Sequence, residues 1–214
     1  MHAGSMTALL VTMVLVVFVV PVIFGPGDPR RIANDVALTL LLLTAAAAVI
    51  ELRPLPVTAA ILCLLAIALR WSEWLLPTGM SSVARDGAAL LALLIVMLIV
   101  AAHVFAHGTV TADRIMGAIA LYLLLGIAWA VVYELVSLHV PGAFAGNVAS
   151  EKGPERWFYF SFVTLTTVGY GDITPAARLT QSLATLEALV GQLYPVIILA
   201  RLVSLDIEHR KRGA

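Results

Sequence analysis

Long apolar runs alternate with short polar breaks along most of this chain. Six of the runs approach the roughly 20 apolar residues that a helix needs to cross a bilayer. They cover about residues 7–24, 32–50, 55–76, 87–106, 115–137 and 178–203. The breaks contain residues that favour turns, such as Pro77-Thr78-Gly79. The pattern therefore predicts an all-α membrane protein with six transmembrane helices.

Composition supports a lipid environment. Of the 214 residues, 61% are apolar and 12% are charged, whereas soluble domains are about half apolar and a quarter charged. Thirteen basic residues balance thirteen acidic ones, which argues against nucleic-acid binding because a basic face is needed for it. Cys63 is the single cysteine, so no internal disulfide is expected. We expect membrane lipids as partners and no nucleic acid.

The interval between the fifth and sixth runs, residues 138–177, is longer than the other breaks. It contains an apolar stretch, residues 154–166, that is too short to cross a bilayer. Pro154 and Glu155 suit the first turn of a helix, and twelve residues make about 18 Å of helix, half a bilayer. An extracellular loop with an interfacial helix is one interpretation. The glycine-rich residues that follow favour a re-entrant pore helix between the fifth and sixth segments.

Residues 166–172 read Thr-Thr-Val-Gly-Tyr-Gly-Asp. Such a row can point successive carbonyls one way if Gly169 and Gly171 adopt backbone angles that side chains disfavour. Val168 and Tyr170 would then turn outward, and the Thr167 hydroxyl would add an oxygen at the inner end. Stacked rings of such oxygens can replace the hydration shell of a monovalent cation. Because one chain supplies one strand and a ring needs four, we expect a homotetramer about a four-fold axis.

With this motif the sequence resembles the tetrameric potassium channels. The resemblance rests on these seven residues, the half-helix before them, the Thr174-Pro175 turn and the apolar helix that follows. It covers about residues 115–203. It implies that a selectivity filter binds dehydrated K⁺ through oxygens of Thr167, Val168, Gly169, Tyr170 and Gly171. K⁺ is then the permeant ion, and no cofactor is expected.

The resemblance also implies residues that support the filter. Thr166 precedes it, and Asp172 follows it at the outer mouth. Many relatives carry two tryptophans where Tyr159 and Phe160 stand here, so we expect a filter held more by packing than by hydrogen bonds and one that inactivates easily. Glu134 resembles a glutamate that braces the backbone beyond the filter; an ordinary interfacial charge is the alternative.

The sixth run contains candidate gating residues. Gly191 matches the family's hinge glycine, and the alternative is a small residue that lets helices pack closely. Pro195, four residues later, removes a helical hydrogen bond and favours a kink. By the same resemblance, Gln192 and Leu199 would face the pore cavity.

Other polar residues in the apolar runs leave alternatives open. Glu187 could hydrogen-bond to the back of the pore helix or attract cations as a charge. His103 and His107 lie one helical turn apart, where they could bind a metal, sense pH or simply lie at the membrane interface.

The first four segments, within residues 1–110, lack the features of a voltage sensor. The fourth run contains no arginine, whereas a sensor needs several along one helix. We divide the rest into a pore domain over residues 111–205 and a short cytoplasmic tail over residues 206–214. Tension, lipid, pH and constitutive opening all stay open as the gating stimulus.

Together these features predict a potassium-selective channel subunit without enzymatic activity. It would be integral to the cell membrane, the inner membrane in a bacterium, with both termini cytoplasmic. Arg30 and Arg31 would then lie outside, contrary to the positive-inside rule. The alternatives are a weakly selective cation channel, a potassium-transport subunit and a non-conducting membrane scaffold.

Overall fold

The structure is a computed structural model of the chain. It describes residues 5–19, 23, 36, 39–44, 61, 63–68, 71, 82–105, 111–146 and 155–213. The second and third predicted segments lie largely outside the described residues.

The elements with described bounds are five α-helices, a π-helical turn and two short strands, and residues 39–44 and 63–68 are also helical. Helix α1 (Ser5–Val14) continues into a π-helix (Leu15–Val19). The other elements are α2 (Ser82–Val104), α3 (Ala112–His139), β1 (Phe144–Gly146), α4 (Glu155–Leu165), β2 (Ile173–Pro175) and α5 (Arg178–Gly213).

Among the described residues, three helices are long and apolar enough to cross a membrane. The spans are Gly87–Val104, Arg114–His139 and Arg178–Arg201, and they coincide with the fourth, fifth and sixth predicted segments. The chain is thus a mostly helical membrane protein, while the total of six spans stays a prediction. The all-α class is confirmed, and the chain adds one short antiparallel ribbon that was not predicted, in which β1 pairs with β2.

The described chain forms two compact units. The first contains α1, α2 and the first half of α3, and the second contains the rest of α3 with α4, α5 and the ribbon. In the first unit, Gly117 allows close packing, because a Cβ there would lie 3.1 Å from Val104 Cγ2 and 3.8 Å from Met6 Sδ. The candidate site lies entirely in the second unit.

Helix α3 ends at a proline-glycine turn that leads into the ribbon. Val140 N still donates to the Val136 carbonyl at 2.9 Å, and Gly142 then takes a φ of +70°, as is common just beyond a helix. Ala143 N donates back to the Val140 carbonyl at 3.1 Å. The chain thereby reverses from the membrane-spanning helix into β1.

Candidate functional site

The site begins at helix α4, whose apolar face is buried in the second unit. Trp157 and Phe160 are 1% and 5% exposed. Phe144 of β1 packs on both rings, with centroids 4.6 Å and 5.4 Å away. Tyr133 of α3 meets the Phe160 ring at 4.9 Å. The two contacts with Phe160 are edge-on, as aromatic rings prefer, and the Phe144–Trp157 pair is tilted. Together they fix α4 between α3 and β1.

The carboxyl end of α4 holds the start of the candidate filter. The Val163 carbonyl accepts hydrogen bonds from Val168 N at 2.9 Å and from Gly169 N at 3.3 Å. Thr167 N donates to the Thr164 carbonyl at 2.9 Å, and the Thr166 hydroxyl donates to the Phe162 carbonyl at 2.6 Å. Carbonyls that a helix leaves unpaired at its end therefore bind the loop that follows.

The backbone of the candidate filter alternates in handedness. Thr167, Gly169 and Gly171 have φ values of +58°, +57° and +79°, while Val168 and Tyr170 between them lie outside the positive-φ region. Alternating right- and left-handed residues turn successive N–H groups to one side of the chain and the carbonyls to the other. Thr167 adopts this conformation without being glycine, which costs a residue with a side chain backbone strain.

The predicted filter-support residues lie in different surroundings. Tyr159 stacks on Tyr170 with the ring centroids 6.3 Å apart and the planes 4° from parallel. Phe160 instead packs against Tyr133 and Phe144. Glu134 is half-buried, and its carbonyl accepts a hydrogen bond from the Ser137 hydroxyl at 2.7 Å.

The ribbon supports the backbone just beyond the filter. Gly146 pairs with Ile173 and has a φ of +94°, and a Cβ on it would collide with the Asp172 carbonyl. Asp172 itself is half-buried. The Ala143 carbonyl, next to β1, accepts bonds from Ala176 N at 2.9 Å and from the buried Thr180 hydroxyl at 2.7 Å. Sequence reasoning missed this anchor because its acceptor is a main-chain oxygen.

Helix α5 crosses the end of α4 in contact with its backbone. A Cβ on Gly191 would collide with the Leu165 carbonyl, so glycine permits this close approach. The observation supports the packing interpretation of Gly191. The hinge role of Gly191 and Pro195 stays a prediction; Pro195 lies inside the helix.

The two predicted cavity residues are both exposed on the chain, Leu199 at 65%. Gln192 makes a contact that the sequence did not predict, since its Nε2 donates to the Thr167 hydroxyl at 2.8 Å. The structure therefore brings a side chain of α5 to the inner end of the candidate filter.

Glu187 forms a buried polar cluster with side chains of α3 and α4. Its carboxyl is fully buried and lies 2.5 Å from the Tyr133 hydroxyl of α3 and 2.5 Å from the Ser161 hydroxyl of α4. Ser161 also donates to the Gly126 carbonyl at 2.8 Å. The predicted bond to the pore helix is present. Sequence reasoning missed Tyr133 and Ser161, although a serine in an apolar half-helix was an available signal.

Of the two candidate metal or pH-sensing histidines, the structure describes one. His103 lies on α2, and His107 lies outside the described residues. Within the part of the chain that the structure describes, no group of three or more metal-ligating side chains occurs.

The candidate site lies within the part of the chain that is similar to known proteins. The sequence profile of a family described as "Ion channel" matches residues 119–205. Protein LctB of Bacillus caldotenax is 35% identical over 94 residues, which are 42% of this chain and 69% of that relative. Protein LctB of Geobacillus stearothermophilus is 41% identical over 63 residues, 29% of this chain and 45% of the relative.

A plant protein also matches the chain. Two pore potassium channel c of Oryza sativa subsp. japonica is 38% identical over 73 residues, 31% of this chain but 16% of the plant protein. The chain thus spans about two thirds of the first relative and less than half of the other two. No solved structure matches the chain significantly.

Proposed function

We propose that this chain, which belongs to the ion-channel family, is one of four identical subunits of a potassium-selective channel. K⁺ would pass down its gradient through a filter formed by Thr167, Val168, Gly169, Tyr170 and Gly171 of each copy. Asp172 would lie at the outer mouth. The protein would be integral to the cell membrane, with both termini cytoplasmic, and would have no enzymatic activity.

The observation that carries this proposal is the alternating φ of the filter residues. Such an alternation can direct carbonyl oxygens to one side of a strand, and this strand is held at the carboxyl end of a half-helix, where the helix dipole favours a cation. Carbonyl rings of this kind replace the hydration shell of K⁺. The undegraded Thr-Val-Gly-Tyr-Gly sequence favours K⁺ selectivity over a weakly selective pore.

The proposed tetramer is supported by the geometry of an ion site, which one chain cannot complete. A single strand has carbonyls on one side of an ion only, and a ring needs copies related by symmetry. Val168 and Tyr170 are 53% and 71% exposed, and we propose that they pack against neighbouring subunits. Leucines on α5, such as Leu189 and Leu193 at 56% each, would be covered in the same way or by lipid.

Gating is proposed to be independent of a voltage sensor. Among the described residues of the fourth segment, 87–105, no arginine occurs, and each gating charge contributes only about 2.3 kcal/mol per 100 mV. A channel without such charges has nothing to convert the membrane potential into steep opening.

The test is ion flux from purified protein in liposomes. Vesicles loaded with K⁺ should release it down a gradient when a protonophore balances the charge, and matched Na⁺ vesicles should not. Equal Na⁺ release would favour a weakly selective pore, and no release would favour a scaffold or a transport subunit.

The Gly169→Ala variant tests the filter directly. Left-handed backbone costs a non-glycine residue roughly 1–2 kcal/mol, and Gly169 has a φ of +57°. Gly142→Ala is the matched control, because its φ is +70° and nothing among the described residues lies within 4 Å of either added Cβ. We expect Gly169→Ala to abolish K⁺ flux and Gly142→Ala to retain it. Equal loss in both would assign the effect to general strain and not to the filter.

A further inference from the structure

The inner end of the filter carries a side-chain contact that carbonyl rings alone do not require. Gln192 Nε2 of α5 donates to Thr167 Oγ1 at 2.8 Å, across 25 residues of sequence. Both residues are exposed on the single chain. In the proposed pore, this contact lies where ions exchange between the filter and the cavity.

Gln192 is polar in apolar surroundings. From Leu186 to Ala200, every other exposed residue of α5 is apolar. The Gln192 carboxamide is therefore the polar group that this exposed face would present to the cavity, and it has a hydrogen-bond partner. Its partner is the one filter residue that presents a side-chain oxygen to the proposed ion path, Thr167.

The direction of this hydrogen bond determines its effect on a cation. A hydroxyl oxygen has two lone pairs, and the Gln192 amide occupies one of them on Thr167. The positive, N–H end of the carboxamide is then also the end nearest to the site. Both effects weaken the binding of a cation by the Thr167 hydroxyls.

We infer that Gln192 weakens the innermost cation site by donating to Thr167 and so speeds the exit of K⁺ from the filter. The inference rests on the proposed function. Conduction needs sites that bind strongly enough for entry and weakly enough for release, and Gln192 adjusts that balance at one ring without being part of the carbonyl row.

Barium is the probe for this site, because it is a divalent cation of nearly the radius of K⁺. The full chain is recorded in planar bilayers with K⁺ on both sides and Ba²⁺ added on the cavity side. In Gln192→Leu we expect block by Ba²⁺ to tighten about tenfold, equivalent to 1.4 kcal/mol over four hydroxyls, together with a smaller single-channel K⁺ current.

The matched control is the same substitution elsewhere on α5. Gln181→Leu changes a glutamine whose Nε2 lies 3.4 Å from the Pro175 and Ala176 carbonyls, and it should leave Ba²⁺ block unchanged. If Gln192→Leu does not assemble, Gln192→Met replaces it with an unbranched side chain of similar length that has no donor.

A second background tests whether Gln192 acts through the hydroxyl. In Thr167→Ala the acceptor is gone, so adding Gln192→Leu should no longer change Ba²⁺ block. Unchanged or weaker block in Gln192→Leu alone, or an effect that persists in Thr167→Ala, would overturn the inference while leaving K⁺ conduction intact. An unsubstituted chain that carries no K⁺ current would overturn the proposed function and this inference together.

Discussion

The Tyr133 hydroxyl donates a hydrogen bond to the Glu187 carboxyl at 2.5 Å, and both side chains are fully buried. The bond joins α3 to α5, and the Ser161 contact extends it to α4. A carboxyl group in a membrane-spanning segment has a high free-energy cost unless it finds polar partners. Its two hydrogen bonds offset that cost and hold α3, α4 and α5 together.

The number of hydrogen-bond donors in this cluster leads to a prediction for Glu187→Gln. Ser161 has one hydroxyl hydrogen but lies within bonding distance of both the Gly126 carbonyl and Glu187. All groups are satisfied if Ser161 donates to Gly126 and Glu187 donates to Ser161. A glutamine amide supplies the same donor and acceptor, so we expect Glu187→Gln to retain the thermal stability of the solubilised protein.

Removal of the serine hydroxyl should be costly by contrast. Ser161→Ala leaves buried polar groups without a partner, which costs about 1–3 kcal/mol and should lower Tm. Ser182→Ala, an exposed serine on α5, is the control and should be neutral. A large loss in Glu187→Gln with none in Ser161→Ala would contradict this arrangement.

Gly191→Ala distinguishes helix packing from a hinge. Its Cβ would collide with the Leu165 carbonyl, and overpacking against backbone costs typically about 1–3 kcal/mol. We expect Gly191→Ala to lower the Tm of the solubilised protein and to reduce K⁺ flux in liposomes.

The control for Gly191→Ala is Gly87→Ala on α2, where nothing among the described residues lies within 4 Å of the added Cβ. Alanine is favoured over glycine in a helix by roughly 0.5–1 kcal/mol, so this variant should be neutral or stabilised. If Gly191→Ala has the same Tm as Gly87→Ala but altered opening, the glycine acts as a hinge.

The half-helix and the positive φ of the glycines after it could be predicted from the sequence because their determinants are local. Glu155 begins α4 as expected, and the glycines at positions 169 and 171 permit the positive φ that the row needs. No long-range contact has to be known to reach either conclusion.

Contacts between elements could not be predicted in the same way. Neither α3 nor α5 has a marked apolar stripe, so periodicity does not identify the face that meets a neighbour. Tyr133 and Glu187 are 54 residues apart, and only the fold brings them together. The ribbon was missed because three-residue strands are shorter than the four to eight residues in which alternation is detected.

The Tyr159–Tyr170 stack leads to a prediction about sustained current. In the proposed pore the nearly parallel rings would support the filter by packing, and aromatic pairs contribute about 0.5–1.5 kcal/mol beyond burial. Tyr159→Leu removes the ring and should speed the decay of K⁺ current during long recordings. Tyr159→Phe keeps the ring and should decay as the unsubstituted chain does. Faster decay in the phenylalanine variant would assign the effect to the hydroxyl.

Gly146→Ala should disturb the outer end of the filter through the ribbon. At a φ of +94° an alanine is strained, and its Cβ would meet the Asp172 carbonyl, the residue that follows the filter. To relieve the collision, β1 has to move away from β2, and the backbone at Asp172 is displaced with it. We expect reduced K⁺ over Na⁺ selectivity in liposome flux, since carbonyl rings depend on the position of every strand.

Gly142→Ala provides the comparison for Gly146→Ala, because it has a positive φ of +70° but nothing among the described residues within 4 Å of its Cβ. Both variants bear backbone strain, and only Gly146→Ala adds a collision with the segment after the filter. Selectivity should therefore fall in Gly146→Ala alone. If both variants lose selectivity equally, the turn after α3 controls the filter and the contact with Asp172 does not.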